Sequence, residues 1–174
     1  MSKSPVSSSE ELDFLRGLRA GVGEFDHGAV LKAVIDKTRE ATGTQVCSLY
    51  LWDEKSRRLV LTATNGLAQE GVGIVSMRLG KGVTGWVADH RKPLAVPDTR
   101  EEPRFQWVPG LDQERFVSML SVPVLAGKEL VGVINVQTEQ THHFTDAEIS
   151  RLEAIAGYVA GIVGVRDLLE ERPG

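Results

Sequence analysis

Two apolar runs, 116–125 and 129–138, stand back to back in this 174-residue chain, separated only by Ala126, Gly127 and Lys128. Both are rich in β-branched residues, and so short a connection containing glycine closes two strands antiparallel. A similar arrangement precedes them. Residues 46–52 and 59–64 flank the charged turn 53–58, which predicts a second hairpin. A third strand is predicted over 73–79, running into Gly80, Lys81 and Gly82, then a short helix over 83–90 and a brief strand over 94–96. Residues 97–115 show no clean period, although they carry Phe105 and Trp107. An aperiodic stretch of this length inside a compact domain is usually functional or mobile.

Helices are predicted at both ends. Residues 1–8 are Ser-rich and read as a disordered start. Ser8 stands three before Glu11, a capping-box spacing, and Leu12, Leu15 and Leu18 share a helical face before Gly21 and Gly23 end it, giving an N-terminal helix within 9–25. Asp26 caps a second helix with Val30, Leu31, Val34 and Ile35 on its apolar face, and Gly43 sits where a left-handed C-cap is wanted. In the last helix Thr145 and Glu148 form a capping box, Phe144 and Ile149 occupy the hydrophobic-staple positions, and the helix runs to about 170, leaving a tail at 171–174. The order is α+β: a six-stranded antiparallel sheet with terminal helices on one face. The middle segments, 80–115, must cover the other face, and a face roofed by loops is a natural place for a pocket.

The last helix also speaks to association. Ile149, Leu152, Ile155, Ala156, Val159, Ile162 and Val163 share the core arc, while Ala154, Gly157, Gly161 and Gly164 fall roughly opposite. Each interior glycine costs about 1 kcal/mol relative to alanine. Three on one side imply either a merely exposed small face or close packing against a second helix. The expectation is a homodimer through the N- and C-terminal helices.

Composition removes several function classes. With 41% hydrophobic and 25% charged residues the chain makes one globular domain with a proper core. Net charge is −4 and the basic residues are scattered, so no nucleic-acid partner is expected. The longest candidate membrane stretch, 155–165, has eleven residues against the roughly 20 a spanning helix needs, so no membrane partner is expected either. The opening MSKSPVSSSEEL has no apolar run, no signal peptide is expected, and the expected location is cytoplasmic. Cys47 is the only cysteine, which rules out an intrachain disulfide and cysteine-rich zinc sites.

Catalytic and metal patterns are sparse. His27, His90, His142 and His143 make no i, i+4 pair, and no metal is expected; a single axial histidine to a haem leaves no spacing signal. The run Gly80-Lys81-Gly82-Val83-Thr84-Gly85 fails the P-loop pattern. Its glycines permit a sharp strand-to-helix corner with Val83 and Trp86 turned inward, whose backbone amides remain able to receive an anion. Cys47 lies in an apolar strand, the setting of an inert thiol, and no Gly-x-Ser-x-Gly elbow is present. No enzyme constellation and no required cofactor emerge. What remains is a small-molecule pocket under the middle segments. The candidate ligand-binding residues are Met77, Val83, Thr84, Trp86, Asp98, Arg104, Phe105, Trp107, Phe116, Met119 and Ser121, large apolar surfaces with sparse polar groups.

The segments VCSLYLWD (46–53), LGKGVTGWVADHRKPLAVPDTREEPRF (79–105), FVSMLSVPVLAGKELVGVINVQT (116–138) and HHFTDAEISRLEAIAGYVAGIV (142–163) together resemble a GAF domain, here spanning 26–170. Within the family, 114–124 and 130–138 are similar to the GAF module that opens nitrogen-branch phosphotransferase Enzyme I; its phosphotransfer activity is not expected here. The resemblance implies a six-stranded antiparallel sheet, dimerisation by terminal helices and a pocket under the middle segments. Family members include cyclic-nucleotide, haem, bilin, nitrate and amino-acid sensors, and ligand-free scaffolds. The cyclic-nucleotide signature is not evident, and Cys47 lies on an early strand, unlike a bilin-attachment cysteine. The reductase branch, acting on free methionine-(R)-sulfoxide, has cysteines before and within the glycine corner, where this chain has Ile74-Val75-Ser76 and Thr84. The expected function is a dimeric sensory or regulatory module for an unidentified small molecule in signal transduction. A ligand-free dimerisation scaffold is the alternative, ahead of a reductase-like enzyme or a haem redox sensor.

Overall fold

The computed structural model describes residues 26–111 and 113–170. The chain starts with α1 (His27–Thr42), whose N-cap Asp26 accepts the Ala29 N–H at 3.3 Å and whose C-cap Gly43 adopts φ +64°. Strands β1 (Val46–Asp53) and β2 (Arg58–Asn65) form the first hairpin. After a short 3₁₀ turn come β3 (Ser76–Met77), α2 (Gly82–His90) and β4 (Leu94–Val96). The second hairpin, β5 (Ser118–Ala126) and β6 (Glu129–Thr138), leads into the long α3 (Asp146–Glu170). The six strands form one sheet in the order β3-β2-β1-β6-β5-β4, every neighbouring pair antiparallel. The α+β, GAF-like architecture expected from the sequence is the one observed.

Both faces of this sheet are buried, which explains the near-continuous apolar strands. Cys47 and Leu49 of β1, Leu120 and Val122 of β5, and Ile134 and Val136 of β6 meet Leu31 and Ile35 of α1 and Leu152, Ala156 and Val159 of α3. The opposite face sets Tyr50, Leu59, Leu61, Met119 and Val133 against Val83, Val87 and Ala88 of α2, with Leu111 and Phe116. One irregularity serves this second layer. The β1–β2 pairing passes from Leu49–Ala63 to Tyr50–Leu61, skipping Thr62. Because side chains alternate along a strand, that bulge keeps Thr64, Leu61 and Leu59 on the same face.

Two strands are shorter than their apolar patterns. β3 is two residues, not 73–79, because residues 71–75 turn back on themselves: Ile74 N–H and Val75 N–H both donate to the Gly71 carbonyl, at φ +80° for Gly73. β5 begins at Ser118 because Phe116 N–H closes a turn on the Gln113 carbonyl. Trp86 turns inward only in part: its half-buried ring packs against the second core layer, stacks on His90 at 4.1 Å and lies under the Arg104 guanidinium at 4.8 Å. At i, i+4 in one helix the two rings share a face, and Arg104 covers the pair from the loop.

The α3 capping box forms in both directions: Glu148 N–H donates to Thr145 Oγ1 at 3.2 Å and Thr145 N–H donates to Glu148 Oε1 at 3.0 Å. Phe144 and Ile149 both pack on the helix-side core. Leu152, Ala156, Val159 and Val163 are buried as expected, joined by Ala160, with Ile155 and Ile162 half-buried. Ala154, Gly157, Gly161 and Gly164 are exposed, and a Cβ on any of these glycines would meet nothing within 4 Å. The predicted helix in 9–25, the disordered start and the tail lie outside the described residues. Among the described residues no helix is long and apolar enough to cross a membrane.

Two measurements check this packing. A Cβ at Gly85 would lie 2.4 Å from the Arg78 carbonyl oxygen, so Gly85→Ala should destabilise the fold by about 1–3 kcal/mol in urea denaturation, whereas Gly157→Ala should not destabilise the isolated chain. Burial works to raise the Glu148 carboxyl, but the Thr145 N–H and His142 together hold it below its usual range. A depressed carboxylate stabilises above its unfolded value and loses that contribution as pH falls through the folded one. Glu148→Gln should therefore flatten the acid limb of the stability profile, and Thr145→Ala should cost about 1 kcal/mol at neutral pH.

Candidate ligand-binding site

Strand β6 is the floor of the site. Along it Ile134 and Val136 enter the helix-side core, so Val133, Asn135 and Gln137 take the other face, toward α2 and the middle segments. Asn135 sits opposite Ser48 of β1 and Ser121 of β5, and Ser48 sits opposite Thr64. The result is a buried polar row across four strands. Its members are partly satisfied: Ser48 and Thr64 hydroxyls are 2.8 Å apart, and Asn135 Nδ2 donates to Thr84 Oγ1 of α2 at 2.8 Å.

That last bond fixes the start of α2 over the sheet and borders a small cavity. Tyr50, Met77, Val83, Phe105, Met119 and Gln137 contribute to the wall, with Gly82, Thr84, Gln106, Gln113 and Asn135. The enclosed space is about 10 Å³, room for roughly one water molecule. Two of its polar atoms have no hydrogen-bond partner among the described residues, Asn135 Oδ1 and Gln137 Nε2, although the residues are only 3% and 2% exposed. An unsatisfied buried polar atom costs about 1–3 kcal/mol. Burial also pushes the Tyr50 phenol up, so this wall residue is neutral.

The roof is the segment 97–111, whose charged contacts are largely internal. Asp98 holds Arg100 through both carboxylate oxygens, and Glu102 likewise holds Arg104. These neighbours hold the Asp98 and Glu102 carboxyls below their usual range. Four hydrogen bonds anchor the roof: Thr99 N–H donates to the Val117 carbonyl at 2.7 Å, Thr99 Oγ1 to the Phe116 carbonyl at 3.4 Å, Ser118 Oγ to the Pro97 carbonyl, and Val108 N–H to Gln113 Oε1 at 2.9 Å.

Of the candidate residues, Met77, Val83, Thr84, Phe105 and Met119 come together in the cavity wall. The others stand elsewhere. Trp86 is half-buried at the edge of the second core layer, between His90 and Arg104, and not in the cavity wall. Asp98 and Arg104 are engaged within the roof. Trp107 is 48% exposed with its ring edge-on to Phe105 at 4.9 Å. Phe116 is buried in the second core layer. Ser121 is fully buried, its Oγ without a hydrogen-bond partner among the described residues, at the β5 end of the polar row and not in the cavity wall. Asn135 and Gln137 were not singled out from the sequence, though two polar residues at alternate positions of an apolar strand are a legible signal.

Cys47 is buried on the helix-side face, away from this cavity, and burial pushes its thiol up to about 12. Among the described residues no three His, Cys, Asp or Glu side chains converge as a metal site requires. Native protein should accordingly resist iodoacetamide at Cys47 and react fully only when unfolded; rapid native alkylation would contradict the placement.

Comparison with known proteins agrees with this geometry. The GAF domain family model matches residues 26–163. The chain is 32% identical over 128 residues to a protein of Escherichia coli K12 named for the phosphoenolpyruvate-dependent phosphotransferase system, covering 74% of this chain and 17% of that protein. A Nif-specific regulatory protein of Azospirillum lipoferum is 31% identical over 122 residues, 65% of this chain and 19% of the relative. The chain thus spans under a fifth of these relatives' length. Among solved structures, the GAF domain of an Acinetobacter phosphoenolpyruvate-protein phosphotransferase superposes with a TM-score of 0.77 at 27% identity, covering 96% of this chain and 100% of that one. A free methionine-R-sulfoxide reductase from Neisseria meningitidis shares the fold at a TM-score of 0.69 and 20% identity, covering 95% and 96%.

Proposed function

The chain belongs to the GAF domain family, and from that premise we propose that it is a cytoplasmic, non-catalytic sensory module that binds a small molecule beneath the 97–111 roof and acts as a homodimer. The observation that carries the binding reading is the pair of buried, unpartnered atoms at the cavity, Asn135 Oδ1 and Gln137 Nε2. A ligand that satisfies them and lifts Phe105 and Gln106 would reorder the roof, whose ion pairs can travel with it intact. Occupancy then shifts an equilibrium only in proportion to the ligand's different affinity for the two roof positions. Regulatory relatives support the class of function: one curated match is a Nif-specific regulatory protein. Against the reductase reading, Thr84 stands within the glycine corner and the one cysteine is on the other side of the sheet.

The homodimer reading rests on the outer surface of α1 and α3. Val30, Ala33, Val34 and Ala41 of α1 with Ile155 and Tyr158 of α3 line an apolar groove of about 490 Å³. Tyr158 is 78% exposed on the helix that also presents Gly157, Gly161 and Gly164. A second copy would cover this surface, and the exposed glycines would let helix backbones approach. The small cavity favours the scaffold alternative, in which Phe105 and Met119 fill the pocket and association is the whole function.

Native mass spectrometry of protein purified without added ligand tests both parts. The expected spectrum is a dimer carrying a small-molecule mass increment, and Tyr158→Asp should give a folded monomer. A bare dimer would favour the scaffold. A monomer at micromolar concentration would overturn the dimer.

A further inference from the structure

We propose that the cavity selects an uncharged ligand presenting a hydrogen-bond donor and acceptor side by side, as a primary carboxamide, a lactam or a urea does. This deepens the sensor reading and rests on it. The wall supplies polarity only as carboxamides and neutral hydroxyls: Asn135, Gln137, Gln113 and Gln106, with Thr84 and Tyr50. None of its residues is Asp, Glu, Lys, Arg or His. A carboxylate, phosphate or ammonium placed here would give up its hydration with no oppositely charged side chain, only the first turn of α2 offering an anion partial compensation, which disfavours the charged form. Arg104 does not change this, because its guanidinium is held by Glu102 and lies over Trp86.

The two unpartnered atoms define the complementary group. Asn135 is oriented by donating to Thr84 through Nδ2, which leaves Oδ1 to accept. Gln137, two residues along β6 on the same face, offers Nε2 to donate. Alternate residues of a strand stand about 7 Å apart, a gap that two hydrogen bonds of about 3 Å and one planar amide group can span. The bond to Thr84 holds Asn135 in this sense, so the pair reads one acceptor and one donor. Met77, Met119, Val83 and Phe105 surround these atoms. Methionine side chains adapt to irregular shapes, which leaves room for a small apolar body on the ligand.

The test uses the full chain labelled with ¹⁵N and four probes of matched size: propionamide, 2-pyrrolidinone, propionate and propylammonium. Propionamide and 2-pyrrolidinone should shift the amides of Thr84, Asn135 and Gln137, with at least tenfold weaker response to the two ions. Gln137→Met, which keeps the volume and the Asn135–Thr84 bond, should weaken the propionamide response about tenfold while the remaining spectrum stays folded. Equal or stronger binding of propionate or propylammonium overturns the neutral-amide class yet leaves a ligand-binding cavity. No response to any probe also overturns the class, and the native mass spectrum of the purified protein then decides the sensor reading independently. Unchanged propionamide binding in Gln137→Met overturns the assigned contact.

Discussion

The hydrogen bond from Asn135 Nδ2 to Thr84 Oγ1 ties the roof layer to the sheet, and the geometry of the site follows from it. It joins residues 51 positions apart with both ends buried, where an unpaired polar group is expensive. Breaking it would leave an amide and a hydroxyl without partners at the start of α2. With it in place, α2 is held in position, Gly85 lies close to the Arg78 carbonyl, and Val83 and Val87 close on Tyr50 and Val133. The bond uses half of Asn135 and leaves the carbonyl oxygen directed at the cavity.

The two faces of the sheet differ in kind. Against α1 and α3 the interior is apolar: Leu49, Val122, Ile134 and Val136 meet Leu31, Ile35, Leu152 and Val159, with no polar row between them. Against α2 and the 97–111 segment, the same strands present Thr64, Ser48, Asn135 and Ser121 in register. A buried polar row of this sort is favourable only when each member is satisfied. Ser48 and Thr64 satisfy each other, while Asn135 Oδ1, Ser121 Oγ and Gln137 Nε2 have no partner among the described residues. The apolar face thus suits packing of α1 and α3 on the sheet, and the polar face suits recognition.

Much of this was legible in the sequence because strong local signals coincide with tertiary demand. The Thr145–Glu148 box and the Asp26 and Gly43 caps formed where their residues predicted, and the second hairpin formed over 118–138, two residues short of its apolar run. The losses have physical causes. Residues 73–75 have strand composition, but Gly73 at positive φ and the Gly71 carbonyl draw them into a turn. Trp86 has the size of a core residue, yet its helical position beside His90 leaves it at the edge of the second core layer, half-buried. At the site, Met77, Val83, Thr84, Phe105 and Met119 were identifiable as large apolar surfaces with a sparse polar group among them. Asn135 and Gln137 stand at alternate positions of an apolar strand, a signal that the strand's hairpin role overshadowed. Their pairing with a cavity depends on residues 84 and 105, remote in sequence.

A high-resolution crystal structure of the protein as purified tests the central claim most directly, through the density between Asn135 Oδ1 and Gln137 Nε2. A bound organic molecule hydrogen-bonded to both atoms, with Phe105 and Gln106 displaced outward, is the expected result. The contradictory result is a closed roof in which those two atoms are bridged by a single water or turned to bond protein groups.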